Sequence, residues 1–479
     1  MSNKFNLFSN SEALTYLFEY LRNPRTVAVV GASPDVRKIG NAVLDNLIKS
    51  GFSGQIFPVN PSYNEIMGLK CYPSLDHLQK GLDLVVIALP AKAALEVLDL
   101  CVRNYSKFVV IIAGGFSETG DEGRVLEDTI KAKIAESHTR VVGPNTVGLL
   151  FPHSALNTAL TPSDRLFYPG KGSIGFISQS GALGLLVMDS ITEFGLGVSG
   201  FVNIGNRADV TEIDLLSMFA EDPNTRSIVM YLESIASGER FFSMAKEVAA
   251  KKPVVLLKTG RSTEAAKAAS FHTGALATDD RVLNGVLRQA GVIRAYDEVQ
   301  LLDYGKALAY QTPLRGDRIA VITTAGGVGV VTTDLLTAPQ DSLRLRMATL
   351  DEKEQTELKR HVLPIASVSN PIDLTADGST EAYESILNVL TESENVDGII
   401  AYALPQTPKM GIDIVNVLKE ASRKKTMVVG VIGYRLATKV LIELEKVKVP
   451  AFPSVRRTTD AMKALYLYGL YRRRLENES

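Results

Sequence analysis

The 479-residue chain has no tryptophan, two cysteines and five histidines. Cys71 and Cys101 form neither a metal-ligand spacing nor a disulfide framework, which fits a reducing cytoplasm. A surplus of one charge is also missing. With 52 basic and 53 acidic side chains the formal net charge is −1. No basic stripe stands out, so neither nucleic acid nor an anionic membrane is expected as a partner. No apolar run approaches the roughly 20 residues that span a bilayer. The opening Met1-Ser2-Asn3-Lys4-Phe5 lacks the apolar core of a signal peptide. A cytoplasmic location is the expectation, and no metal site is expected. What is present is ordinary for a globular protein: 46% hydrophobic and 22% charged residues. At roughly 150 residues per domain, the length suggests about three.

Short β-branched runs alternate with amphipathic segments almost from end to end. Thr26 to Val30, Leu84 to Ala88 and Phe108 to Ile112 are continuously apolar. That is the pattern of parallel strands covered on both faces. Gly40 to Ser50, Ala91 to Arg103 and Glu122 to Ser137 read as the helices between them, and Arg140-Val141-Val142 closes the unit. The pattern restarts after a polar stretch, His153 to Lys171, with strands near 173–177, 198–203, 227–232 and 253–257. It restarts again after Tyr310 to Asp317, which reads as a linker, with strands near 318–323, 398–403 and 427–431. The expected architecture is α/β, with three doubly wound domains at about 1–150, 151–312 and 313–479.

Several strands end in loops suited to anions. Gly31-Ala32-Ser33 follows the first strand, and Gly40 opens a helix. The glycines are too far apart for the usual dinucleotide fingerprint. Backbone N–H groups at a helix N-terminus would still face an anion, and Arg37 and Lys38 add two cations. A purely structural βα turn would use the same residues. Asn60-Pro61, Leu89-Pro90 and Gly114 end further strands on what would be the same carboxyl edge, where such folds bind ligands. In the second domain Gln179-Ser180-Gly181 follows a strand, with Ser180 a good N-cap. Gly143-Pro144-Asn145 and Asn203 to Asn206 are further loops at strand ends, and Glu233 stands at the exit of an apolar strand. His272 sits in a loop of small residues, Thr273-Gly274-Ala275, between helix-like segments. A histidine there suits a nucleophile that must be reached and reached again, though most loop histidines have no such task. A carboxylate such as Glu233 beside it would fix its tautomer. In the third domain Thr324-Ala325-Gly326-Gly327 and Asn370-Pro371-Ile372-Asp373 are polar loops without the ending of a P-loop.

Taken in order, these motifs resemble the NDP-forming acyl-CoA synthetases, the succinyl-CoA synthetase-like family. Within it they are most similar to the α subunit of ADP-forming acetyl-CoA synthetases. The resemblance runs from Val29-Val30-Gly31-Ala32-Ser33 through Gly143-Pro144-Asn145, Ser178 to Gly184, Asn206 to Val210, Tyr231-Leu232-Glu233-Ser234 and His272 to Ala275, and on to Thr324-Ala325-Gly326-Gly327 and Asn370 to Leu374.

The resemblance implies a Rossmann-like CoA-binding domain followed by two flavodoxin-like domains of the succinyl-CoA synthetase type. It implies an acid–thiol ligase acting through an acyl phosphate and phosphorylated His272, assisted by Glu233. Ser180, Gly181 and Gly274 would bind phosphate. CoA would meet Gly31, Ala32, Ser33, Arg37, Lys38, Gly40, Asn60, Pro61, Pro90, Gly114 and Asn145. ADP or ATP and Mg²⁺ would sit mainly on a separate ATP-grasp β subunit, in an α2β2 assembly. The rival reading is a CoA-binding regulatory or scaffold protein that keeps the fold and has lost catalysis.

Overall fold

The computed structural model describes residues 11–262, 264–265, 279–339 and 343–478. It comprises two compact units, residues 1–290 and 291–479. In the first unit, α1 (Ser11–Arg22) leads into β1 (Thr26–Val30), α2 (Ile39–Lys49) and β2 (Gln55–Val59). A small antiparallel hairpin follows, β3 (Glu65–Ile66) with β4 (Leu69–Lys70). Then come β5 (Leu84–Ile87), α3 (Ala91–Arg103), β6 (Phe108–Ile111), α4 (Asp121–Ile134) and β7 (Arg140–Val142). The first sheet is parallel, in the order β2-β1-β5-β6-β7. Every residue of β1, β5 and β6 is buried, which is why these strands read as unbroken apolar runs. Their core includes Val85, Ile87, Val109 and Ile111 against Leu95, Leu98 and Ile130.

A second sheet is built from β8 (Leu149–Phe151), β9 (Leu156–Asn157), β10 (Lys171–Ser178), β11 (Val198–Asn203), β12 (Ser227–Leu232) and β13 (Val254–Lys258). The order runs β13-β12-β10-β11-β8-β9. The strands β10 to β13 are parallel, and β8 and β9 extend the sheet antiparallel. Helices α5 (Gly181–Thr192), α6 (Glu212–Glu221), α7 (Gly238–Lys251) and α8 (Asp280–Ala290) belong to this half. The polar stretch after His153 is no free separator. It contains β9 and is tied to α2 by the buried Asn46. That amide donates to Ala159 O (2.9 Å) and Thr161 O (2.8 Å), and its oxygen accepts from Ser163 N (3.1 Å).

The second unit contains β14 (Ile293–Ala295), α9 (Glu298–Tyr310), β15 (Arg318–Thr323), α10 (Gly326–Thr337), β16 (Arg346–Met347), α11 (Glu352–Lys359) and β17 (Ile372–Asp373). It continues with α12 (Thr380–Glu392), β18 (Gly398–Tyr402), α13 (Ile414–Lys424), β19 (Met427–Gly430), α14 (Arg435–Lys446), β20 (Ala451–Phe452) and α15 (Val455–Glu478). Its parallel sheet runs β16-β15-β18-β19-β20, with β17 also on β15. The stretch expected as a linker is docked. Leu314 is buried and its N–H donates to Leu465 O (3.3 Å), while Thr312 meets Thr426 (2.9 Å). Helix α9 packs on α15, where Arg457 grips Asp303 at 2.7 Å. The division between compact units therefore falls at 290/291, ahead of the expected boundary at 312. Among the described residues no helix is long and apolar enough to cross a membrane.

Asn46→Ala removes the partners of three backbone groups that brace the 159–163 segment. A stability loss of about 2–4 kcal/mol is expected in urea unfolding. A loss below about 0.5 kcal/mol would mean that water replaces the amide at no cost.

Candidate functional site

Each sheet of the first unit has a switch point, where connections leave in opposite directions and open α/β sheets bind ligands. In the first sheet it lies between the carboxyl ends of β1 and β5. Gly31 adopts φ +87°, and a Cβ there would stand 2.7 Å from Ala88 O. A Cβ on Gly40 would stand 2.0 Å from Gly31 O, so the start of α2 is pressed onto the loop. Only glycine fits either place. Between them, Ser33 Oγ accepts from Asp35 N (3.1 Å), and Asn41 donates to Ser33 O (2.9 Å).

Two of the expected CoA contacts have internal partners. Asn60 donates to Ala32 O (2.8 Å) and accepts from Ser62 N (2.9 Å), so its amide braces the glycine loop. Arg37 makes a two-pronged pair with Asp35 at 3.0 and 2.9 Å. Hydrogen bonds from the Arg37 side chain, then its backbone, hold the Asp35 carboxyl down at about 2. The Arg37 side chain is 86% exposed, so the pair is weak and an incoming phosphate can compete for it. Lys38 is exposed, stands at the N-cap of α2 and has no ion pair among the described residues.

Pro90, Gly114 and Asn145 line the rest of this edge, all exposed, as is Pro61. Asn145 adopts φ +58°. The Gly114 turn is held by Glu118, whose Oε1 accepts from Gly115 N (2.5 Å) and Phe116 N (3.2 Å). Burial alone would raise the Glu118 carboxyl. The amide of Asn206 and these backbone donors outweigh it and hold the group below its ordinary value.

The second switch point lies between β10 and β12. Ser180 caps α5 as expected, with its side chain accepting from Leu183 N (3.4 Å). A Cβ on Gly181 would meet Val147 at 2.5 Å, so the helix start packs on the loop after Asn145. The N–H groups of the first turn of α5 have no carbonyl of their own helix to donate to, as at any helix start. Gln179 Oε1 accepts from Glu233 N (2.9 Å) and Ser234 N (3.0 Å), joining the exit of β12 to the start of α5. Glu233 is half-buried. Beside it, burial first and then the Glu233 carboxylate push the Tyr231 hydroxyl above its ordinary value, against a hydrogen bond to Thr259. His272 and Gly274, expected as nucleophile and phosphate ligand, lie outside the described residues.

Sequence reasoning quoted Asn206 and Arg207 only as part of a motif. The structure makes them central. Arg207, at φ +62°, donates from Nη1 to Glu212 (3.0 Å) and Ser234 O (3.0 Å) and from Nη2 to Ser234 Oγ (2.7 Å). Glu212 is fully buried and also accepts from Ala236 N (2.8 Å). The only signal in the sequence was a cation and a carboxylate five residues apart, straddling a helix start. Residues 206–210 run along the first sheet, with N–H groups of Asn206, Ala208 and Val210 donating to Pro144, Gly143 and Val141. Arg140 seals this seam with Asp209 (2.8 Å) and Asp214 (3.3 Å). Burial would lower the Arg140 pKa, but the two carboxylates outweigh it and the net shift is upward.

Residues 25–152 match the CoA binding domain family, and residues 171–308 match the succinyl-CoA ligase like flavodoxin domain. The α subunit of acetate–CoA ligase [ADP-forming] I of Pyrococcus furiosus is 36% identical over 95% of this chain and 98% of its own length. The chain belongs to the α-subunit family of ADP-forming acetate–CoA ligases. A second such ligase subunit of Pyrococcus furiosus is 34% identical over 94% of this chain and 97% of its own. The dinucleotide-forming acetyl-coenzyme A synthetase 1 of Candidatus Korarchaeum cryptofilum, solved with phosphate and ADP, superposes with a TM-score of 0.88 at 35% identity. That match covers 96% of this chain and 98% of the other. The ligase family thus accounts for the α/β fold, its CoA-binding domain and its succinyl-CoA ligase-like domain. A subunit named α implies a separate partner subunit.

Arg207→Ala strands the buried Glu212 carboxylate. Unfolding by denaturant is expected to show a loss of about 3–5 kcal/mol. Adding Glu212→Leu to that variant should recover much of it, because removing both charges is far less costly than removing one. Equal losses in the single and double variants would rule out the pair as the cause.

Proposed function

We propose that this chain is the α subunit of an ADP-forming acyl-CoA ligase, running acyl-CoA + ADP + phosphate ⇌ acid + ATP + CoA. The observation that carries the reading is the joining of two switch-point loop clusters within one compact unit. One is shaped by Gly31 and Gly40, the other by Ser180 and Gly181. In this reading residues 1–150 bind CoA, 151–312 bear the phosphohistidine and 313–479 form the second ligase-type domain.

A phosphate oxygen attacks the thioester carbonyl, the C–S bond breaks, and CoA leaves as the thiol with an acyl phosphate remaining. The N–H groups of α5 beginning at Ser180-Gly181, together with Gly274, hold the phosphate oxygens without placing a buried cation there. A ring nitrogen of His272 then takes the phosphoryl group and the acid leaves. Glu233 accepts from the opposite ring nitrogen, which fixes the tautomer and steadies the charged imidazolium. ADP finally attacks the phosphohistidine, and the P–N bond breaks to give ATP. The nucleotide and Mg²⁺ are assigned to an ATP-grasp β subunit, in an α2β2 assembly in the cytoplasm. The CoA nucleotide lies across Gly31 to Gly40 beside Asn60 and Pro61, and its arm runs past Pro90, Gly114 and Asn145 towards Ser180. Acetate is the first acid to test. A relative from Nitrosopumilus maritimus, 31% identical, is named for 4-hydroxybutyrate, so that acid is the second to test.

The deciding experiment incubates the chain and its partner with γ-labelled ATP and follows acid-labile phosphate. Wild type is expected to become labelled and to release label on adding acid and CoA. His272→Ala should take no label and make no ATP from acetyl-CoA while still binding CoA. ATP synthesis by that variant would sink the relay, and an unlabelled wild type would favour a CoA-binding scaffold.

Lys38→Ala should raise the CoA Kd about tenfold, the worth of one charge-assisted contact. Arg37→Ala should raise it less, because an anion must first draw that guanidinium from Asp35. Calorimetric titration with CoA reads both, and an unchanged Kd for Lys38→Ala would move CoA off this loop.

A further inference from the structure

We propose that Asn206 is a positioning residue that holds the pantetheine end of the CoA channel in register with the phosphate helix. The inference rests on the CoA path proposed above. Asn206 lies on the loop after β11, in the second sheet, yet its side chain faces the carboxyl edge of the first. Its Oδ1 accepts from Asn145 Nδ2 at 3.2 Å. Its Nδ2 donates to Glu118 Oε2 at 2.5 Å and also lies 3.0 Å from Glu127 Oε2 and 3.2 Å from Ser117 Oγ. Glu118 in turn holds the Gly115 and Phe116 amides, so the Gly114 turn and Asn145 share one support.

The neighbouring residue, Arg207, grips Ser234, whose N–H is bound by Gln179 beside the Ser180 cap. Two adjacent residues therefore tie the two loop clusters together. One faces the CoA edge and the other the phosphate edge. An amide is the right group at position 206. It must donate to carboxylates while accepting from Asn145, which neither a carboxylate nor a cation can do. The charged groups around it are Glu118, then Glu127 with its α4 neighbour Lys131, at 3.9 Å from Glu127. Asn206 touches no reacting atom in this scheme and acts only through Asn145 and the Gly114 turn.

The test uses the chain with its partner subunit and reads two half-reactions. In Asn206→Ala the KM for CoA should rise about tenfold, while labelling of His272 by ATP stays within about twofold. Asn206→Asp places a third carboxylate against Glu118 and should be worse. Adding Glu118→Gln to Asn206→Asp returns the cluster to two carboxylates and restores the pair with position 118 with the roles exchanged; the new carboxylate still faces Glu127, so part of the CoA KM should be recovered. Equal loss in both half-reactions, or no recovery in the exchanged pair, would reduce Asn206 to a structural residue and overturn the proposal. If Lys38→Ala weakens CoA but Asn206→Ala does not, the positioning role fails while the CoA site stands. If neither variant moves CoA affinity, the CoA path fails and takes this proposal with it.

Discussion

A buried carboxylate governs the region where the two sheets of the first unit meet. Glu212 has no exposed surface, so its charge must be met inside the protein. Arg207 meets it, and does so from a left-handed backbone position that an arginine adopts at a cost of about 1 kcal/mol or more. That cost is small beside the several kcal/mol of an unpaired buried ion. The same guanidinium then has donors left over, and they go to Ser234 at the end of β12. Strand exit, helix start and ion pair are therefore one unit. The placement of Glu233 follows from it, because its N–H and that of Ser234 share the Gln179 oxygen.

The seam between the sheets extends this logic. Residues 206–210 use their backbone donors on the first sheet, and Asp209 uses its carboxylate on Arg140 and on Val141 N. Asn203 adds a bridge from within the second sheet, donating to Ser178 O (2.8 Å) and accepting from Val147 N (2.9 Å). The apolar contribution of this stretch is Ala208, which joins the core of the first sheet. A seam held by directed polar contacts fixes register and orientation more tightly than a greasy one, since each bond has a preferred angle as well as a distance. That suits a pathway in which a thioester must arrive at a particular phosphate.

Much of the fold was legible in the sequence because buried parallel strands leave unbroken apolar runs. Thr26 to Val30, Val198 to Asn203, Ser227 to Leu232 and Arg318 to Thr323 were readable to the residue. The short strands were not. Leu149–Phe151 and Leu156–Asn157 are too brief for any period, and their pairing depends on their partners, β11 for β8 and β8 for β9, rather than on their own pattern. The supposed linkers misled for a related reason. Their backbone groups are docked, those of residues 159–163 on the Asn46 side chain of α2 and that of Leu314 on Leu465 O, and a docked loop has the composition of a free one. In the candidate site, the glycine loops and the Ser180 cap were visible from residue type alone. The internal commitments of Asn60 and Arg37 were not, because they depend on which neighbour the loop brings within 3 Å.

The glycines show how closely the two halves of the site constrain each other. A Cβ on Gly181 would approach Val147, on the loop after Asn145, to 2.5 Å. A Cβ on Gly205 would stand 2.1 Å from Pro144 O. Both positions belong to the second sheet's edge; Gly205 is kept bare by Pro144 and Asn145, and Gly181 by Val147 just beyond them. The start of α5 is thus pressed directly onto the Val147 side chain, beside the carboxyl edge of the first sheet. The donors that the proposal assigns to phosphate there are backbone N–H groups, which need no side-chain ordering and carry only partial charge. A fixed cation in that position would hold phosphate more strongly, but it would hold the departing phosphoryl group just as firmly. In the proposed relay, partial charges on a rigid helix would stabilise each phosphorylated species in turn without trapping any of them, which is what a reversible relay requires.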